Sequence, residues 1–256
     1  MPLDLPYTVP LVSPHYPPPP YRYRDCPLMV VPFIAEPGVT RALVPHPLEP
    51  HPDNLAYVAI GHLHNDRLGS TREAFVVVPS SDGVRWGNYA VLLYLENDAC
   101  VTSGREIWGW PKKQAEVGFR EDADTVEGSV RRRGEELVLA TLTGLADAPA
   151  SELDLSPVWF NLKVIPSVVE GAPPDVAQLT ATTFARLEAT EVRRGSGGLR
   201  IGDGPDDPLT GLIGVREVLD GHRMTLSFDL LHGEVVHDYL DGESTTTAVR
   251  EIVASR

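Results

Sequence analysis

Between residues 20 and 240 the chain is a succession of short β-branched and aromatic runs, many alternating apolar and polar with period two. They include "CPLMVVPFI", "NLAYVAIGHLH", "REAFVVVPS", "YAVLLYLE", "AEVGFRE" and "TVEGSVRRR", followed by "ELVLATLTG", "WFNLKVIP", "QLTATTFARLEATEVRRG" and "HRMTLSFDLLHGEVVHDYL". Such alternation sends successive side chains to opposite faces of a strand. Turn formers separate the runs: "SDGVRWGN", "RRGEE", "RRGSGG" and "GDGPDD". Helical periodicity is scarce. "EPGVTRALVP" predicts about three turns closed at a proline, and "ACVTSGREIWG" predicts a short helical piece. Strands at ~8–12-residue spacing with no βαβ rhythm predict a mainly β protein with few small helices, built as an antiparallel barrel or sandwich. No internal repeat or linker interrupts it, so residues 1–256 read as a single domain.

The first twenty residues differ. "PHYPPPP" (14–20) cannot enter a helix or the inside of a sheet, because proline lacks the amide proton and fixes φ. Residues 1–20 therefore read as an extended, polyproline-like arm against the body or a neighbouring subunit.

Composition narrows the classes of function. In 256 residues, 22 basic side chains face 36 acidic ones, a formal charge of −14 that repels phosphate backbones and excludes nucleic acid as the expected partner. Cys26 and Cys100 form neither a disulfide framework nor a zinc pattern. The N-terminus lacks the basic start and apolar run of a secretory signal. The longest apolar runs, such as "YAVLLYL", are too short to cross a bilayer. The expectation is a cytoplasmic protein with no membrane segment.

One stretch carries chemistry. "GREIWGWPKK" (104–113) sets adjacent lysines beside two tryptophans and a proline. A lysine is a nucleophile only as the neutral amine, and at an ordinary pKa of ~10.4 almost none is neutral at pH 7. Burial and a neighbouring cation both lower that value. Trp108 and Trp110 offer apolar walls and Lys113 the second charge. Strand neighbours point to opposite faces, so Lys113 can act on Lys112 only if the chain turns there. Desolvation is the larger expected effect.

This segment resembles the active-site stretch of the acetoacetate decarboxylase family, in which the first lysine of the pair forms a Schiff base with substrate. "PPYRYRD", "ALVPHPLE", "LGSTREA", "YLEND", "NLKVIP" and "VVHDYL" resemble the family's landmarks in the same order, without gaps from about residue 19 to 122. The resemblance implies an antiparallel β-barrel closed like a cone, with the reactive lysine inside. It implies a homo-oligomer in which the proline arm is a subunit contact. It also implies that Lys112 is the Schiff-base lysine, Lys113 its perturbing neighbour and Glu73 an active-site carboxylate. Arg105 matches a family arginine that could hold a substrate carboxylate or brace the short helix. Trp108 stands where relatives acting on pyruvate carry a polar residue, which argues for a more apolar substrate.

Two family positions depart. Counted along the ungapped segment, the pocket arginine falls on Cys26 and the second pocket glutamate on Val58. Arg24 and Arg22 share parity with Cys26, and His62 and His64 share parity with Val58, so these are the candidate substitutes. "HLH" (62–64) also reads as a metal pair, but no third ligand has suitable spacing. The expected protein is a lyase that decarboxylates a β-keto acid, acetoacetate or a larger apolar analogue, with no metal or organic cofactor because the lysine is the electron sink. Alternatives are an aldolase, dehydratase or cyclase acting on a 2-oxo acid such as pyruvate, and a barrel that binds a small molecule without turnover.

Overall fold

The computed structural model describes residues 5–153 and 155–241. The chain forms β1 (Tyr21–Ala35), α1 (Val39–Leu43), β2 (Glu49–Pro50), β3 (Leu55–Asn65), β4 (Gly69–Ser81), β5 (Trp86–Leu95) and α2 (Asp98–Ser103). A π-helical turn (Gly104–Trp108) follows, then β6 (Lys112–Gln114), β7 (Glu116–Asp122), β8 (Thr125–Arg132) and β9 (Glu135–Asp147). The remainder is β10 (Val158–Ile165), β11 (Val176–Ile201), β12 (Asp203–Gly204), β13 (Asp207–Pro208), α3 (Leu209–Ile213), β14 (Val215–Val218), β15 (Gly221–Leu230) and β16 (Glu234–Asp238).

Fourteen strands make one sheet ordered β10-β5-β4-β3-β1-β15-β11-β9-β8-β7 along its main path. The sheet curls into a cone-like body. β11 makes this curl: its start pairs with β10, its middle with β15 and its end with β9. Two bulges, after Ala185 and Thr190, let so long a strand bend. Beyond β11 the sheet folds back, and β7 and β8 pack over the outer face of β3. Val58 and Ile60 thus share a core cluster with Val126 and Val130. On the inner face Leu28, Ala59, Leu93 and Trp110 form a second cluster. Burial on both faces explains why "CPLMVVPFI" and "NLAYVAIGHLH" are almost continuously apolar.

Three local expectations change. "EPGVTRALVP" makes only the five-residue α1, which has no side-chain N-cap and ends before Pro45. "HRMTLSFDLLHGEVVHDYL" breaks into β15 and β16 around Gly233. The arm is bent rather than extended, turning where Ser13 N–H donates to Pro10 O at 3.2 Å. It lies on its own body: Tyr21 Oη donates to Pro17 O and Arg67 Nη1 to Pro18 O, both at 2.6 Å. Tyr16 Oη donates to the Glu106 carboxylate. Among the described residues no helix is long and apolar enough to cross a membrane.

Candidate active site

Lys112 reaches the interior through a tightly tied connection. Asn97 caps α2, its side chain accepting from Cys100 N–H at 3.0 Å, and α2 runs straight into the π-helical turn. Gly109, at φ 82°, then reverses the chain toward β6. Trp110 N–H donates to Gly104 O at 3.1 Å and Lys112 N–H to Trp110 O at 2.7 Å. Arg105 Nη1 donates to Lys112 O at 3.1 Å, and Thr180 Oγ1 to Trp108 O at 2.6 Å. The Lys112 stem lies on Gly104, where a β-carbon would come 2.6 Å from Cδ and 3.3 Å from Nζ. No other side chain leaves that path open.

The amine ends in a cavity of about 150 Å³ inside the cone. Across it stands Glu73, with Lys112 Nζ 3.6 Å from Glu73 Oε1, an ion-pair contact too long for a hydrogen bond. Both side chains are buried, 8% and 3% exposed. They meet because β4 and β6 flank β5 on either side, Glu73 opposite Leu95 and Lys112 opposite Leu93. Burial pushes the Glu73 pKa up, and the charge of Lys112 opposes that shift without cancelling it. Glu73 Oε1 and Trp110 Nε1 have no hydrogen-bond partner, so two buried polar groups of the lining are left for a ligand. The other walls are apolar and largely aromatic. Rings of Trp110, Trp159, Phe184, Phe228 and Tyr23 follow one another at centroid distances of 5.3, 5.5, 4.4 and 4.6 Å.

Lys113 is not in the cavity. β6 is a regular strand, so the neighbouring side chain leaves by the opposite face. Its Nζ donates to Asp207 Oδ1 at 2.6 Å. The buried Asp207 also accepts from Arg132 Nη1 at 2.6 Å and from Tyr94 Oη at 2.8 Å. Burial acts to raise the Asp207 pKa, but the hydrogen bonds from Lys113, Tyr94 and Arg132 outweigh it and hold the carboxyl below its ordinary range. The chain does not turn at β6, so Lys113, expected as the perturbing neighbour of Lys112, points instead to Asp207, which pairs with its charge.

Of the expected substrate-contacting residues, Trp110 lines the cavity and the others do not. Arg24 is bonded outside, its Nη2 2.6 Å from Asp229 Oδ1, because the bulge at Asp25 (φ 50°) breaks the parity that would aim it inward. Arg105 is exposed and braces the Lys112 main chain. Trp108 is fully buried behind the wall, donating to Leu231 O at 3.0 Å and packing on Tyr21. Cys26 is buried next to the cavity-lining Leu28, but its Sγ accepts from His64 N–H at 3.2 Å. Val58 points away from the cavity into the cluster under β8, whereas Tyr57 and Ala59 face inward. His62 shares that outer face and lies beside His64 at 4.3 Å between ring centroids. Burial, aided by His64 and Arg72, lowers its pKa. Among the described residues no three His, Cys, Asp or Glu side chains are grouped to hold a metal ion. Sequence reasoning missed Phe75 and Val77, although the period-two pattern continuing from Glu73 marks both as inward. It also missed Trp159, Phe184 and Phe228, for which only a correct register would have served.

A cone of mainly antiparallel strands around a buried lysine–glutamate pair defines a small-molecule site suited to amine chemistry. The chain matches the model described as "Acetoacetate decarboxylase (ADC)" over residues 4–240, and it belongs to that family. It is 29% identical over 237 residues to acetoacetate decarboxylase 2 of Mesorhizobium japonicum, covering 91% of this chain and 90% of that one. Against the acetoacetate decarboxylase of Ralstonia nicotianae it is 29% identical over 241 residues, covering 91% and 95%. A solved acetoacetate decarboxylase structure superposes with a TM-score of 0.84 at 25% identity, over 92% of this chain and 97% of that one. The enduracididine biosynthesis enzyme MppR, solved with the condensation product of pyruvate and imidazole 4-carboxaldehyde, shares the fold with a TM-score of 0.78 at 21% identity, over 91% and 97%.

This geometry has two measurable outcomes. Gly104→Ala drives a methyl into the Lys112 stem, so the protein folds with its amine displaced. Covalent modification of Lys112 by an amine-directed reagent, followed by peptide mass mapping, should slow at least about tenfold, a barrier change of ~1.4 kcal/mol. The second concerns pH. Because the folded-state pKa of Asp207 is depressed, its stabilisation is present above the unfolded value of ~3.9 and is lost as pH falls through the folded value. Asp207→Asn should remove that acid-side loss in urea unfolding. At pH 7 it should destabilise by about 2–3 kcal/mol, less than the ~3–5 of a fully buried pair because Lys113 is one-third exposed.

Proposed function

We propose that this protein is a lyase that decarboxylates a β-keto acid through an imine on Lys112. The observation that carries the proposal is the amine of Lys112 set in an apolar cavity with the Glu73 carboxyl group 3.6 Å away and no second cation in the described lining. Family membership supports the same chemistry. The amine adds to the ketone carbonyl and water leaves, giving an iminium. The bond to the carboxyl group then breaks, carbon dioxide departs, and the electron pair moves into the iminium to form an enamine. A proton returns to carbon, and water hydrolyses the imine to release the ketone and restore Lys112. Glu73, kept protonated further up the pH scale than an ordinary glutamate, is placed to deliver protons at these steps.

The bare cavity favours this reading over reactions of 2-oxo acids. A buried carboxylate costs several kcal/mol unless a cation meets it. A 2-oxo acid keeps its carboxylate throughout, next to Glu73. A β-keto acid loses its own as the charge disperses into carbon dioxide, so a desolvating pocket assists departure. The Trp110 indole N–H is a neutral donor for that carboxylate before it leaves.

Borohydride added with a β-keto acid should fix substrate-derived mass on the Lys112 peptide, and Lys112→Ala should neither trap nor release carbon dioxide. Trapping that persists in that variant, or lands on Lys113, excludes the proposed nucleophile. Glu73→Gln should lower kcat by about 100-fold or more. The part of the rate that needs the Glu73 proton should be full below its raised pKa and fall as pH rises through it, and the Gln variant should lack that limb.

A further inference from the structure

The cavity is longer than its reactive end requires. Its floor follows three adjacent strands in register, through the rows Leu28–Gly61–Glu73, Val30–Ala59–Phe75 and Pro32–Tyr57–Val77. From Glu73 to Val77 is four residues, about 13 Å at ~3.3 Å per residue. The four carbons of acetoacetate span about 4 Å. Past the Lys112–Glu73 pair the inward positions are Val30, Ala59, Phe75 and Leu93, and polar groups return only at the half-exposed end, at Tyr57, Asn88 and Ser156. The small Ala59 leaves room over the floor, while Phe75, Trp159 and Phe184 supply ring surfaces beside it, with 6.1 Å between Phe75 and Trp159 and 5.5 Å between Trp159 and Phe184. The whole cavity, reactive end included, holds about 150 Å³, a volume in the range that takes up a benzene-sized ring.

We infer that the substrate is a β-keto acid whose ketone carries an aromatic or comparably flat apolar group, seated against Phe75, Trp159 and Phe184. This rests on the imine chemistry proposed at Lys112. The ketone carbon lies at the Lys112 amine, the carboxyl group takes the Trp110 indole N–H, and the ring fills the apolar middle, where flat aromatic faces give it offset or edge-on partners. A methyl ketone leaves that middle unfilled. The discrimination arises from burying the tail, because the reactive atoms are the same in both substrates.

The test compares kcat/KM for decarboxylation of acetoacetate, 3-oxohexanoate and 3-oxo-5-phenylpentanoate. The phenyl acid should exceed acetoacetate by about tenfold or more, with the propyl ketone between them, as expected for one or more added apolar groups in a matching pocket. Phe184→Ala should cut the phenyl-to-acetoacetate ratio at least about tenfold. Trp159→Leu makes the same measurement should the first variant fail to fold. Equal or better use of acetoacetate overturns the inference, as does a ratio unmoved in both variants. Borohydride trapping on Lys112 and carbon dioxide from acetoacetate would in that case leave the imine chemistry standing. Neither trapping nor carbon dioxide from any of the three acids overturns the chemistry and the inference together.

Discussion

Burying an amine beside a carboxylate is the constraint on which this structure turns. Each charge loses several kcal/mol of hydration in an apolar interior, and their mutual attraction offsets that only at close range. Lys112 and Glu73 stand 3.6 Å apart, so the pair is tolerated without being fully hydrogen-bonded. Its position depends on β5, which accepts β4 on one edge and β6 on the other and so brings the two side chains over the same inner face. The connection before β6 completes the arrangement. A wide π-helical turn ending in Gly109 drops the chain into the sheet, and Gly104 stays bare beside the lysine stem. Such turns recur at functional sites because the extra residue re-aims the side chains downstream of it.

The second lysine shows the same physics resolved the other way. Strand alternation sends Lys113 out of the cavity to Asp207, which Arg132 and Tyr94 also reach. The dipeptide thus separates into one side chain in an apolar chamber and one anchored in a charge network. The network fastens β6 from outside while the chamber holds it from inside. Adjacent lysines that look electrostatically costly in sequence are, in space, two charges on opposite sides of one strand.

Much of this was legible in the sequence. Period-two runs announced the strands, and "WGWPKK" together with Glu73 named the two side chains that meet in the cavity. The errors came from parity carried too far. The count that put Val58 in the pocket was one face off, and it carried His62 with it, because every second residue of β3 faces the layer formed by β7 and β8. Parity failed differently on β1, where the bulge at Asp25 releases Arg24 toward Asp229. Neither the bulge nor the fold-back has a local sequence signature. Asp207 sat in "GDGPDD", which reads as a turn, and nothing local ties it to a lysine 94 residues earlier. The helix in "EPGVTRALVP" is shorter than its pattern suggests because it lacks an N-cap side chain.

The long bulged strand β11 has a consequence for the order in which the molecule assembles. It carries Phe184, it pairs with four strands, and its pairing with β15 brings Phe228 to Phe184. Lys112 and Glu73 lie within forty residues of each other and share β5 as a local template. The opposing wall arrives only when Phe184 and Phe228, on strands far along the chain from both residues, have been brought together by the pairing of β11 with β15, and such long-range strand pairing is slow. The wall that makes the surroundings of the lysine apolar is thus the slow part of the fold, and the amine is enclosed only once that wall has formed.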